Sequence, residues 1–227
     1  MQFNKVKILT LNYSYIKSLK INTMSKDLFL DEGYIKYNCH WEKTTTAINY
    51  KDLNELNKWR NMMYDLKLIG YYEKYKVGYG NISVRYENPE QILISGTQTG
   101  HLQSLDPEHY ALVTKFDIDK NELHCTGPIK ASSEALTHAV IYQLDSSCNA
   151  VIHIHNLELW ESLMDKVPTS NPEVPYGTPE MAYEMMRLYK ESDLPKRKLM
   201  AMGGHDEGII AFGKDLKEAG DIILALR

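Results

Sequence analysis

Cysteine is scarce: Cys39, Cys125 and Cys148 are the three in 227 residues, and no two form a CxxC pair. An odd number without metal-ligand spacing excludes a disulfide framework and fits buried thiols in a reducing cytoplasm. Long apolar runs are missing as well. Nothing approaches the roughly 20 residues of a membrane-spanning helix, so an integral membrane protein is not expected. Positive charge is not in excess either. The 26 Lys and Arg face 30 Asp and Glu, whereas a dedicated nucleic-acid binder carries a basic footprint. Repeats and low-complexity segments are also absent. What remains is the composition of a soluble globular chain long enough for one well-buried α/β core.

Charge is unevenly spread. Residues 1–23 hold Lys5, Lys7, Lys17 and Lys20 and no acid, so all 30 acids fall after them. The segment has no Arg, and its apolar run is too short for a secretory signal. Consistent hydrophobic periodicity begins only after Asp31. We therefore expect residues 1–23 to be a basic leader, disordered or not native, with Met24 as the start and one domain over 24–227.

Within that domain, Leu53, Leu56, Trp59, Met63 and Leu66 recur at helical spacing. Short β-like runs follow at Ile82–Tyr86, Ile92–Ser95 and Ala111–Ile118, and another runs through His124 and Cys125. A helix is expected over Ser132–Leu144, a strand over Val151–His155 and a helix over Leu157–Met164. Thr178-Pro179-Glu180 starts another helix, with a cap, a proline and an acid in order. Two strands (Leu199–Met202 and Gly208–Phe212) and a helix (Lys214–Leu226) close the chain. Paired strands alternating with helices imply a layered α/β domain.

The chemistry centres on Val151-Ile152-His153-Ile154-His155. Residues two apart on a strand share a face, so His153 and His155 are neighbours while Ile152 and Ile154 bury the other side. Such a pair can ligate Zn²⁺ or a similar ion, or can simply be polar residues ending a half-buried strand. His205, in a glycine-rich turn between two strands, would supply a third ligand and leave one position open for substrate. Glu134 falls in the expected first helical turn beside Ser132 and Ser133. There an acid complements the helix dipole, and free N–H groups can hold an anion such as phosphate. Three weaker signals are set aside. Gly78-Tyr79-Gly80 lacks the third glycine and the following helix of a dinucleotide site. Cys39-His40 and His124-Cys125 place adjacent residues on opposite faces of a strand. Tyr71-Tyr72 reads as packing at an amphipathic boundary.

In order, Gly80-Asn81-Ile82-Ser83-Val84-Arg85, Ile92-Leu93-Ile94-Ser95 with Thr99-Gly100, Ser132-Ser133-Glu134, His153-Ile154-His155 and His205 resemble the class II aldolase/adducin family from about Lys51 onward. The resemblance implies a single three-layer αβα domain around a largely antiparallel sheet, assembled as a homotetramer. It implies that His153, His155 and His205 hold a catalytic zinc or another divalent metal, with Glu134 as acid/base. Asn81, Thr99, Gly100, Ser132 and Ser133 match the phosphate-binding positions. Tyr176 is the nearest match to a proton-donating tyrosine from a neighbouring subunit. The implied reaction is an aldolase's: C–C bond cleavage or formation in a small sugar phosphate through an enediolate. A pentulose-phosphate 4-epimerase, a sugar-phosphate dehydratase and a non-catalytic adducin-like module are the alternatives. Retention of all three histidines weighs against the last. Departures from the family pattern are a longer turn at Ser95–Gly100, Gly78 in place of a hydroxyl residue, and Asp206-Glu207 between His205 and Gly208. They raise the expectation that Asp206 or Glu207 lies near the metal. The chain is also expected to lack the C-terminal tail that closes over substrate in some relatives.

Overall fold

The computed structural model describes residues 33–45, 48 and 50–227. The basic leader expected over residues 1–23 lies outside them. The strands are β1 (Asn38–Lys43), β2 (Gly70–Tyr72), β3 (Val77–Tyr79), β4 (Asn81–Tyr86), β5 (Asn88–Ser95), β6 (Tyr110–Asp117), β7 (Glu122–Gly127), β8 (Ala150–His155), β9 (Leu199–Ala201) and β10 (Gly208–Gly213). The helices are α1 (Tyr50–Asp65), α2 (Ala135–Leu144), α3 (Leu157–Leu163), α4 (Pro179–Glu191), α5 (Leu194–Arg197) and α6 (Leu216–Leu224). Eight strands form one mixed sheet in the order β1-β7-β6-β5-β4-β8-β10-β9, and β2 and β3 make a separate hairpin. The β1–β7 pair is parallel, and the other pairs of the large sheet are antiparallel.

Alternation along the strands builds the layers. Ile92 and Ile94 of β5, Val151 of β8 and Ile210 of β10 pack with α2 and α4 on one face. Leu93, Ile152, Ile154 and Ile209 point the other way, onto α1, Trp160 of α3 and α6. The result is an α/β single domain with helices on both sides of the sheet. Thr178 caps α4, its hydroxyl accepting from the Met181 N–H, with Pro179 as the first helical residue. The expected helix over Ser132–Leu144 begins later, at Ala135, so Ser132, Ser133 and Glu134 precede it as a lead-in whose last two residues form a turn.

Helix α6 meets α1 through Gly220, where a Cβ would fall 2.1 Å from Trp59 Cζ3 and 2.3 Å from Cε3. Gly220→Ala is therefore expected to destabilise the fold by ~1–3 kcal/mol through overpacking. Urea unfolding would read this as a lower midpoint. An unchanged midpoint would mean that Trp59 moves aside freely.

Candidate active site

One strand and one loop bring the histidines together. His153 and His155 project from the same face of β8, and His205 comes from the loop between β9 and β10, held by hydrogen bonds from its N–H to Met202 O and from Gly208 N–H to its own carbonyl. All three are buried, and one ligand atom from each lies within 4.8 Å of the others. His155 Nε2 and His205 Nε2 are 3.1 Å apart. Two nitrogens on one tetrahedral Zn²⁺, each at about 2.0–2.1 Å, would lie roughly 3.3 Å apart. His153 Nε2 is buried without a hydrogen-bond partner, which a bound ion would supply. The donor set fits a divalent metal.

The electrostatics agree with that fit. Burial pushes His153 down to about 3. His155 and His205 are held well below the usual histidine range, first by burial and then by their neighbouring imidazoles. Neutral rings are the metal-binding form, so ligation at neutral pH displaces no protons from these side chains. Asn81 lies behind His153, Nδ2 to Nδ1 3.5 Å, and its Oδ1 is buried without a partner. With its amide rotated, Asn81 would accept the Nδ1 proton and keep Nε2 free for a metal.

Glu134 is 1% exposed, and neither carboxylate oxygen makes a hydrogen bond of good geometry. Burial pushes its pKa up to about 7, with the Thr137 hydroxyl and the Lys36 ammonium pulling the other way. It occupies the N-cap position of α2 without a capping side-chain bond, rather than lying inside the first turn. Its carboxylate is therefore not spent on the helix end. Ser132 Oγ accepts from the Glu134 N–H at 3.3 Å. The turn holding Thr99 and Gly100 is joined to this lead-in by the Gly96–Ala131 bridge. Thr99 Oγ1 donates to Gly96 O, and buried Arg60 donates to Thr99 O and Gln103 O, fixing the turn from beneath. Gly100 admits no side chain, because a Cβ would sit 2.0 Å from Gly70 O. The Gly78 N–H is taken by Gln98 Oε1. Tyr176 is 3% exposed, and its ring packs on His205 of its own chain with centroids 4.2 Å apart.

Several residues escaped the sequence reading. Tyr72, set aside as a packing residue, donates to Glu207 Oε2 at 2.5 Å and lies 3.3 Å from His155 Nδ1. Glu207 is thus linked to His155 through Tyr72, while His205 is the third histidine of the cluster. Buried His138, one turn past Glu134, lies 2.7 Å from Ser83 Oγ, which also meets the Tyr142 hydroxyl at 2.9 Å. The adjacent Cys39-His40 and His124-Cys125 pairs do face opposite ways. Across the parallel ladder, however, His40 stacks on His124 at 4.4 Å, and Cys39 Sγ approaches Cys125 Sγ to 3.9 Å. Only the strand register, invisible in sequence, reveals those pairings. Tyr72→Phe removes the hydroxyl between Glu207 and His155 and is expected to weaken divalent-metal affinity ~10–100-fold. Competition with a chromogenic chelator measures this; wild-type affinity would remove Tyr72 from the metal's support.

Residues 66–227 match the Class II Aldolase and Adducin N-terminal domain. An L-fuculose phosphate aldolase of Methanococcus maripaludis is 28% identical over 184 residues, covering 74% of this chain and 88% of its own. A 3-oxo-tetronate 4-phosphate decarboxylase of Haemophilus influenzae is also 28% identical, over 178 residues, 71% of this chain and 80% of its own. Among solved structures, a sugar-phosphate aldolase from Thermotoga maritima superposes with a TM-score of 0.58 at 20% identity, covering 78% of this chain and 90% of that one. That likeness establishes the fold. No helix among the described residues is long and apolar enough to cross a membrane.

Proposed function

We propose that this chain, which belongs to the class II aldolase and adducin N-terminal domain family, is a metal-dependent carbon–carbon lyase acting on a small phosphorylated sugar or sugar acid. One observation carries the reading: three buried neutral histidines converge in a domain that also buries a carboxyl titrating near neutrality. A divalent ion held by His153, His155 and His205, zinc in the first instance, would supply Lewis-acid polarisation of a substrate carbonyl. Glu134, with a pKa of about 7, can either hold or accept a proton at the carbon beside that carbonyl. Retro-aldol cleavage and decarboxylation both leave an electron pair at that carbon, so relatives named for either reaction support the same reading.

The N–H groups at the start of α2, with Ser132 and Ser133, are suited to an anion such as a phosphate. Asn81, Thr99 and Gly100 complete the proposed substrate-binding set. Tyr176, packed on His205, is the proposed proton donor to the leaving oxygen. The assembly we propose is a homotetramer. Ketose 1-phosphates, pentulose 5-phosphates and a phosphorylated 3-oxo acid should be assayed with chelator and again after Zn²⁺ is restored. The expected result is release of a triose or of CO₂ from at least one class, abolished by chelation and regained with metal. Turnover that survives chelation, release from none of the classes, or epimerised pentulose without fragments would overturn the lyase reading.

A further inference from the structure

A segment ahead of the family-matched region reaches the site. Gly33 and Tyr37 anchor it at two places. Gly33 O accepts from Gln98 Nε2 at 3.3 Å, beside the turn that carries Thr99 and Gly100. At the other end, the buried Tyr37 hydroxyl donates to Ser132 O at 2.9 Å. Gly33 has φ +74°, and a Cβ there would lie 2.2 Å from Gln98 Nε2, so this approach depends on glycine. Between the anchors is Lys36. Its stem runs along Gly177, where a Cβ would lie 3.7 Å from Lys36 Cβ and 3.8 Å from Cδ. Its ammonium stands 3.7 Å from the centroid of the Tyr176 ring, which also packs on His205. The Lys36 charge is felt at both Glu134 and His205.

We propose that Lys36 is a substrate-binding residue of this site, receiving an oxyanion of the substrate, a phosphate or a carboxylate. The inference rests on the lyase reading above. Its physical basis is charge balance. An anionic substrate arriving near an ionised Glu134 meets like charge in a buried setting, where such repulsion is strong. Serine hydroxyls and backbone N–H groups soften that repulsion only through dipoles, whereas an ammonium offsets it with a full charge. The Tyr176 face holds the ammonium in place by a cation–π contact, and the doubly anchored segment limits the freedom that a lysine stem normally keeps.

The test uses the full chain and calorimetric binding, so that it reads without turnover. Wild type, Lys36→Met and Lys36→Arg are titrated with inorganic phosphate, glycolate and phosphoglycolate, and metal content and near-UV circular dichroism are recorded alongside. Wild type is expected to bind at least one probe. Lys36→Met should weaken that binding at least tenfold, and Lys36→Arg should keep it within threefold, with metal content unchanged in both. Loss of phosphate binding with glycolate unaffected assigns the phosphate to Lys36, and the reverse assigns the carboxylate. Undiminished binding by Lys36→Met, equal losses in Met and Arg, or no binding by wild type would each overturn the proposal. If the lyase reading fails, the turnover panel shows it, and these binding titrations still report on Lys36.

Discussion

Glu134→Gln is expected to lower turnover of the cleaved substrate by ~10²–10⁴-fold while leaving bound metal unchanged. Deuterium exchange from solvent into the carbon beside the carbonyl of dihydroxyacetone phosphate, followed by NMR, isolates the proton step and should fall with it. Full exchange by the glutamine variant would take Glu134 out of proton transfer. The same substitution has a thermodynamic signature in metal-free protein. Glu134 titrates at about 7 in the fold, against 4.5 when solvated. Between those values the native chain keeps a proton that the unfolded chain releases. Stability from this group is therefore fully present below pH 4.5 and is lost as pH rises through about 7. The loss is on the order of 3 kcal/mol. Glutamine has no proton to lose, so urea unfolding at pH 5 and pH 8 should show the variant without that slope. A variant whose pH dependence matches wild type would mean that the carboxyl is solvated in the fold.

His205→Ala is the second large effect. Outer partners of metal ligands are worth roughly 10–100-fold in affinity. Removing one of three protein ligands should exceed that range and leave the purified chain without retained metal. The exposed His101 is the control, and its alanine variant should bind metal as wild type does. Undiminished affinity in His205→Ala would move the site away from the triad.

Much of the framework was legible because alternation and helical periodicity mark which face is buried. Ile152 and Ile154 face α1, α3 and α6 while His153 and His155 face the other layer, as period-two spacing predicts. His205 was legible as a loop residue between strands. Legibility stopped where the site depends on long-range register or on residues of ordinary local character. Tyr72 is one tyrosine among 16 until the β2–β3 hairpin presents it to His155. Strand β1 escaped the sequence reading because its parallel partner β7 lies about 80 residues away in sequence. Lys36 precedes that strand, and no local pattern connects it with Tyr176. The environment of Glu134 was likewise hidden. In sequence it resembles a dipole-complementing acid, whereas the late start of α2 leaves its carboxylate buried and unspent.

The most direct test of the account is the metal content of the purified chain, before chelation, after it, and after reloading with Zn²⁺. About one divalent ion per chain is expected, regained on reloading and absent when His153, His155 and His205 are all replaced. A folded wild-type chain that holds no divalent ion and takes up none would contradict it.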